Sequence, residues 1–513
     1  MNWKRYKDNI YGRGPDESYY ILGLDLGNDS SSLAFYNMVR GAPELLDISG
    51  GYGRASMPTV LQYIPESREW IFGEYAILNN DGHEHRCGSL IEKLGTNAYF
   101  DVNFRPVATS SLLGLYLKEL IGNIKNINPK AEIAGIIAAV SSYGTPEAND
   151  EIRRAFNAAG LEKKLIKPAT DRECIFTYFL SRKKSGSRNA LLLDYGSREL
   201  RAGVYTIRHS GERIDINTEN YMFSAELGAK HIDYDLTQLF LEYLPKHSSQ
   251  QEKGQLNSFL YQHKDLLLQK NNWSKPVKLY FNFTYPPTQA TVTHKRINDL
   301  ITPYKELFVK LINNLLGRGS SSKTRDDIDT VICIGGGFEM QWVKESVMSR
   351  FNENSVHFFK NPKGLIAESA AFTAAKALGA VKASTVILHD NHQIRVDLGI
   401  MTRINSRDRF YPIIHRGAFW WQEIGRLNFI LNQATESADS IKLLSRADDG
   451  ELRTVGIIPL DGLPARPKGA TKLALTMHFE NKNSLSVTVS DCGFGEIFPS
   501  TGYARTIKVN PLR

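Results

Sequence analysis

Residues 19–27 read Tyr19-Tyr20-Ile21-Leu22-Gly23-Leu24-Asp25-Leu26-Gly27, an apolar run that ends in an Asp-x-Gly turn. The run predicts a buried strand, and residues 33–36 predict a second strand that returns from the polar turn 27–32. Glycine tolerates positive φ, and small side chains leave backbone N–H groups accessible. The tip of this β-hairpin is therefore a candidate phosphate-binding loop.

The same pattern recurs in the second half of the chain. Residues 190–198 read Ala190-Leu191-Leu192-Leu193-Asp194-Tyr195-Gly196-Ser197-Arg198, and the apolar residues 202–207 follow. Such an internal duplication predicts two similar α/β lobes that face one another, with one loop from each lobe available to hold a ligand between them. The cleft between the lobes is the candidate site.

Between and after the hairpins, strand and helix patterns alternate, which is typical of an α/β layer structure. Residues 133–140 predict a buried strand, and residues 146–160 predict a helix that begins with Thr-Pro and ends at a glycine. Later helices are predicted over residues 233–243, 255–269 and 302–316. The strand Thr330–Ile334 ends in Gly335-Gly336-Gly337 before a further helix, a pattern that fits either an anion-binding turn or a plain tight turn.

From about Ser384 the pattern changes to short alternating strands. Residues 472–479 and 485–489 alternate apolar and polar side chains around a polar turn, which predicts a hairpin with one buried face. Three consecutive aromatic residues, 419–421, cannot all point to one side of a strand. This part of the chain is predicted to be an antiparallel β-domain.

Length and charge exclude several classes of protein. The 513 residues exceed the size of one core, so several domains are expected. The 63 basic and 55 acidic residues give a net charge of +8 that is spread along the chain, which argues against nucleic acid as a partner. The polar start, the absence of an 18-residue apolar run and the four separated cysteines predict a cytoplasmic protein with no membrane partner.

Taken in order, the motifs resemble the 70-kDa heat-shock chaperones, the DnaK-type members of the actin and sugar-kinase fold. The resemblance rests on the two Asp-x-Gly loops, Leu227-Gly228, the triple glycine and, in the β-domain, residues 396–400 and 460–469. The last segment is not expected in an actin or a sugar kinase, the rival class. The resemblance implies a two-lobed actin-like ATPase domain followed by a C-terminal antiparallel β-sandwich.

The domain limits implied by this resemblance are a polar extension over 1–16 and a nucleotide-binding domain over 17–382, with lobe I at 17–185 and lobe II at 186–382. A linker over 383–389 leads to a substrate-binding-like β-domain over 390–513. The chain stops at Arg513, directly after a predicted strand over residues 504–509, and so is expected to lack the family's helical lid.

The resemblance also implies site residues. Asp25 and Asp194 would hold Mg²⁺ and position the attacking water, and Lys93 is the candidate for a lysine that assists phosphoryl transfer. The implied contacts to ATP or ADP are Gly27, Asn28, Asp29, Gly196, Ser197, Gly228, Gly335, Gly336, Gly337, Glu339, Lys264, Leu267 and Leu268.

Several of these positions depart from the family. Asn28 and Asp29 replace hydroxyl residues, and Ser197 to Glu199 replace a glycine pair and a threonine. Repulsion between an Asp29 carboxylate and a phosphate about 5 Å away would cost about 3 kcal/mol of binding free energy at an effective dielectric constant of about 20. The positive charges of Arg198, Arg201 and Lys167 could offset this repulsion. Lys167-Pro168 replaces a Glu-Pro pair, and Glu339 replaces an arginine that stacks on adenine.

Two hypotheses follow. The first is an ATP-binding chaperone-like protein whose hydrolysis is slow or lost and whose β-domain binds unfolded peptide or a protein partner. The second is a non-catalytic pseudo-ATPase that serves as a scaffold or adaptor for protein partners.

Overall fold

A computed structural model describes residues 19–49, 54–79, 85–95, 98–140, 146–181, 188–268, 275–316, 323–389, 394, 396–404, 407–416, 423–447, 450–481, 484–495 and 497–510. The chain divides into two compact units, Met1–His389 and Asp390–Arg513. The predicted extension 1–16 and the aromatic triplet Phe419-Trp420-Trp421 lie outside the described residues.

The first unit mixes strands and helices. In chain order its strands are β1 (Tyr19–Asp25), β2 (Ser30–Asn37), β3 (Ala42–Leu45), β4 (Ser56–Pro58), β5 (Leu61–Ile64), β6 (Glu69–Phe72), β7 (Arg86–Cys87), β8 (Tyr99–Val102), β9 (Arg105–Ala108), β10 (Glu132–Val140), β11 (Leu165–Thr170), β12 (Asn189–Tyr195), β13 (Leu200–Ser210), β14 (Arg213–Ser224), β15 (Val277–Phe281), β16 (Thr288–Val292), β17 (Thr330–Ile334), β18 (Val356–His357) and β19 (Thr385–His389). Its α-helices are α1 (Glu74–Leu78), α2 (Thr109–Ile127), α3 (Pro146–Ala158), α4 (Asp171–Ser181), α5 (Ala229–Leu241), α6 (Gln250–Leu268), α7 (His294–Leu315), α8 (Gln341–Met348) and α9 (Leu365–Ala377).

Two six-stranded sheets dominate this unit and repeat one strand order. The first runs β11-β10-β1-β2-β3, with β4 beside β2, and the second runs β18-β17-β12-β13-β14-β19. In each sheet the strand that ends in an Asp-x-Gly turn pairs antiparallel with the next strand and parallel with a later one on its other side. The two Asp-x-Gly turns therefore occupy equivalent positions in the two sheets.

One apolar core joins the two sheets. It contains Ile21 and Ile137 from the first sheet and Leu192 and Ile332 from the second, together with residues of α4 and α9. Helix α9 lies directly on β1, where a Cβ atom on Gly23 would come within 1.9 Å of the Ala371 nitrogen. This close approach explains why the strand carries a glycine in the middle of its apolar run.

Part of the segment 383–389, for which a linker is predicted, is a strand of the second sheet. Residues 385–389 form β19, which pairs parallel with β14 and closes the edge of the second sheet. The His389 Nε2 atom also lies 2.6 Å from the Asp215 carboxylate on β14. Local composition does not reveal this pairing, because β14 lies far away in the chain.

The second unit consists of β-strands. They are β20 (Asp397–Ile404), β21 (Arg407–Ile414), β22 (Glu423–Ile430), β23 (Ser440–Arg446), β24 (Leu452–Pro459), β25 (Lys472–Asn481), β26 (Ser484–Asp491) and β27 (Ala504–Val509). They form two four-stranded antiparallel sheets, β21-β20-β23-β24 and β22-β25-β26-β27. Leu398 and Leu443 of the first sheet share a buried cluster with Leu475 and Val487 of the second. The predicted hairpin over residues 472–489 is confirmed as the β25–β26 pair.

Candidate functional site

Asp25 and Asp194 lie at the carboxyl ends of β1 and β12, the central strands of the two sheets. Burial raises the pKa of Asp25 to about 8, and the charges of Asp194 and Asp171 act in the same direction. The two predicted aspartates are therefore close enough to influence one another. Asp171, the first residue of α4, joins them as a third carboxylate.

Arg201 is the counter-ion of two of these carboxylates. It faces Asp194 in register across the β12–β13 hairpin and donates a hydrogen bond to its carboxylate. The same guanidinium lies 2.9 Å from Asp171 Oδ2. Burial alone would lower the pKa of Arg201, but Asp194 and Asp171 raise it well above its usual value, so the side chain stays charged.

Burial also raises the pKa of Asp194, to about 6, although the charge of Arg201 opposes the shift. Beside this pair is a cavity of about 10 Å³, lined by residues that include Arg172, Tyr205 and Tyr221. That volume holds roughly one water molecule.

These residues do not fit a magnesium ion as they are arranged. Magnesium requires a nearly octahedral shell of oxygen ligands and keeps several waters, whereas the Asp194 carboxylate is already bound to a guanidinium. A second cation at this point would be repelled by Arg201. Nor does the described part of the chain contain a group of three or more His, Cys, Asp or Glu side chains arranged to hold a metal.

The first loop is fixed by hydrogen bonds from residues outside it. Thr59 donates its hydroxyl to Gly27 O at 2.7 Å and its amide to Asp29 O at 2.9 Å. Asn28 Oδ1 accepts from the amide of Glu92 at 3.1 Å. The Asp29 carboxylate lies 3.2 Å from Lys230 Nζ, so an ion pair takes up the charge that would oppose a phosphate.

The second loop closes onto the start of α5. The amides of Ala229 and Lys230 donate to Gly196 O at 3.2 Å and Ser197 O at 2.8 Å. A Cβ atom on Gly228 would lie 2.1 Å from Arg198 O, so the glycine permits this packing. These first-turn amides are the groups that a helix would otherwise offer to an anion, and here carbonyl oxygens engage them.

The three glycines after β17 have different surroundings. Gly335 has φ = +89°, and a Cβ atom there would lie 2.5 Å from Tyr195 O and 2.7 Å from Asp194 Oδ1. A Cβ atom on Gly337 would lie 2.3 Å from the Tyr195 ring. Gly336 is less crowded, since the nearest atom to its Cβ position is Cδ of Lys363 at 3.7 Å. Packing therefore accounts for Gly335 and Gly337, while Gly336 lies beside a lysine.

Sequence reasoning missed Lys363 as a member of the site. It is partly buried, its charge lowers the pKa of Asp25, and none of the hydrogen bonds or ion pairs found among the described residues involves it. The signal was its place in the Asn-Pro-Lys-Gly turn directly before α9.

The other predicted residues have different surroundings. The Lys93 ammonium lies 5.0 Å above the Phe100 ring. Leu267 and Leu268 are buried in the core of the second sheet and its helices. Lys264 is on the same helix, with its side chain outside the described residues, and Glu339 ends the short 3₁₀ helix Gly336–Glu339.

Comparisons with known proteins give two family models of unknown function and a weak similarity to a chaperone. A family of unknown function (DUF5716), C-terminal part, matches residues 42–275, and a domain of unknown function (DUF8552) matches residues 393–510. The chain is similar to the chaperone protein DnaK of Mycoplasma mycoides subsp. mycoides SC at 19% identity, over 92% of this chain and 77% of that protein. Across the described residues, helices are too short or too polar to cross a membrane.

Proposed function

We propose that the protein is a DnaK-like, chaperone-related scaffold that does not hydrolyse ATP through magnesium. One observation carries the proposal: Arg201 binds Asp194 and Asp171, so two of the carboxylates at this point are already engaged by a cation of the chain. ATP chemistry in related folds depends on metal ions that neutralise the developing phosphate charge. A guanidinium in contact with these carboxylates opposes that arrangement, because it repels a metal cation at the same point.

The architecture is consistent with this proposal. The repeated strand order of the two large sheets supports the two-lobed actin-like arrangement over residues 17–382, here extended by β19. The shared core of the two C-terminal sheets supports a β-sandwich. Binding of unfolded peptide or a protein partner by this unit is proposed from the similarity to a chaperone alone. The similarity to DnaK extends over both regions.

Phosphate release in the presence of ATP and Mg²⁺ tests the proposal directly. We expect no magnesium-dependent turnover above that of an Asp194→Asn variant. Turnover that requires magnesium and is abolished by Asp194→Asn would overturn the scaffold assignment and restore the ATPase one.

A second candidate function is binding of ATP or ADP without hydrolysis. Lys363 supports it, since this partly buried cation lies beside the uncrowded Gly336. Calorimetric titration with ATP in EDTA should show binding that Lys363→Ala weakens about tenfold or more, while the exposed Lys310→Ala serves as a control. Absence of heat for the parent protein at two well-separated temperatures would exclude this candidate and leave the scaffold proposal intact.

A further inference from the structure

The two halves of the first unit contain one six-stranded sheet each and meet in two different ways. The two sheets share a buried apolar core. At the loops, the contacts between residues 19–181 and residues 188–268 include three ion pairs. These pairs are Asp29–Lys230, Glu92–Arg198 and Asp171–Arg201, and together they are called the ionic clasp.

The first pair links two loops that are each fixed by backbone hydrogen bonds. Asp29 and Lys230 lie 3.2 Å apart. The Asp29 carbonyl accepts from the Thr59 amide, and the Lys230 amide donates to Ser197 O. Both side chains therefore extend from anchored positions, which reduces the conformational entropy lost when the pair forms.

The second pair lies beside the first. Arg198 Nη2 is 2.8 Å from Glu92 Oε1, and the Glu92 amide donates to the side chain of Asn28, the neighbour of Asp29. The carbonyl of Arg198 packs on Gly228 at the start of α5, next to Lys230. Each half thus presents its two charged residues from one connected group of loops.

The third pair is deeper. Arg201 Nη1 lies 2.9 Å from Asp171 Oδ2, and the exposed fractions of these side chains are 14% and 6%. Salt screens exposed pairs strongly and buried pairs much less. Arg201–Asp171 should therefore persist at salt concentrations that dissociate the two outer pairs.

The charges of the clasp are fully segregated. All three acids, Asp29, Glu92 and Asp171, come from the first half, and all three bases, Lys230, Arg198 and Arg201, come from the second. A further contact, the 3.0 Å hydrogen bond from Arg54 to the Tyr261 hydroxyl, also joins the two halves, with its donor in the first half. Complementary surfaces of opposite charge attract one another without a third component.

We infer that the ionic clasp holds the facing loops of the two halves together in the absence of any ligand. Closure is then a built-in state of this chain, sensitive to ionic strength, and is not an event that a bound molecule must trigger. The inference concerns conformation alone, so its test needs no nucleotide and is independent of the proposed function.

Amide hydrogen exchange of the full chain tests it, with the loops 27–32 and 196–199 as reporters. Each exposed pair accounts for about a two- to fivefold change in local opening. Reversal of both bases, Lys230→Glu with Arg198→Glu, should raise exchange in both loops about tenfold, since repulsion replaces attraction. Addition of Asp29→Lys and Glu92→Arg should restore protection from exchange. The bases of the two outer pairs then lie in the first half and the acids in the second, so the pairs attract one another again.

The control is Lys305→Glu with Lys310→Glu, which makes the same change in net charge on α7, outside the three ion pairs of the clasp. Salt at 1 M should raise exchange in the parent loops. It should raise exchange in the fourfold charge-exchanged protein to the same extent, since opposite charges still attract one another there. Circular dichroism identifies variants that fail to fold, and the single variant Lys230→Gln provides a milder test. Parent-like exchange in the double reversal, or no recovery in a folded fourfold variant, would overturn the inference.

Discussion

Arg201 and Asp194 face one another in register across the β12–β13 hairpin, and the same guanidinium reaches Asp171 at the start of α4. A strand pairing fixes the first contact, whereas the second depends on how α4 packs against that sheet. Arg201 therefore connects the local hairpin to the join between the two halves of the unit.

Replacement of Arg201 by methionine should strongly destabilise the protein. The change leaves Asp171 and Asp194 buried without a counter-ion, which typically costs about 3–5 kcal/mol. Urea unfolding followed by circular dichroism measures the loss. Arg208→Met, on the exposed end of the same strand, should change the unfolding free energy by less than about 0.5 kcal/mol. Equal stability of the two variants would contradict the role assigned to Arg201.

Removal of the guanidinium should also create an affinity for magnesium. In Arg201→Ala the carboxylates of Asp25, Asp171 and Asp194 lose their internal cation. With a dissociation constant of about 1 mM, 10 mM Mg²⁺ would stabilise the variant by about 1.4 kcal/mol. The thermal midpoint of the variant should rise with Mg²⁺ and that of the parent should not. The added substitution Asp194→Asn should abolish the effect, and a magnesium response in the parent would refute the prediction.

Much of the fold could be predicted from local sequence. The strand Thr330–Ile334 was predicted with its observed limits, because a short apolar run that ends in glycines has few alternatives. Helix α7 was predicted too short: it begins at His294 rather than at residue 302. Pro303 lies within the helix, so the pattern around it favoured a start rather than an interior position.

The candidate site was less accessible to such reasoning. Arg201 was considered only as a charge that could offset Asp29, but the hairpin register places it on Asp194 instead. Leu267 and Leu268 were assigned to a ligand because they matched positions in a motif, yet they pack in the core. Lys230 was not singled out, since its partner Asp29 is about two hundred residues away in the chain and only tertiary packing brings them together.

The stability of the second unit should depend on Asp491 in acid. Burial alone would raise its pKa, but hydrogen bonds from Arg466, Gly493 and Thr501 lower it from 3.8 to about 2. A lowered pKa means that the ionised form stabilises the fold. The contribution, about 2 kcal/mol, is complete above about pH 4 and is lost as the pH falls through about 2.

Hydrogen exchange of the β25 and β26 amides at several pH values, compared between the parent and Asp491→Asn, measures this contribution. The difference in stability should be largest near pH 6 and should shrink below pH 4. Asp461→Asn, which removes an exposed ion pair with Arg505, is the matched control and should differ little from the parent at any pH. A difference that stays constant down to pH 2 would show that the Asp491 charge does not stabilise this unit.

The glycines after β17 allow packing to be separated from ligand contact. Gly335→Ala must place a side chain at φ = +89° and within 2.5 Å of the Tyr195 carbonyl, so it should cost about 1–3 kcal/mol or more and lower the thermal midpoint. Gly336→Ala meets only the flexible Lys363 side chain at 3.7 Å and should leave stability within about 1 kcal/mol of the parent. If nucleotide binds beside Lys363, Gly336→Ala should also weaken its binding, because the added methyl group separates the ligand from the backbone. Thermal unfolding of both variants, followed by titration of Gly336→Ala with ATP, tests each part in turn. Equal destabilisation by the two substitutions would mean that the crowding around Gly335 does not distinguish it from its neighbour.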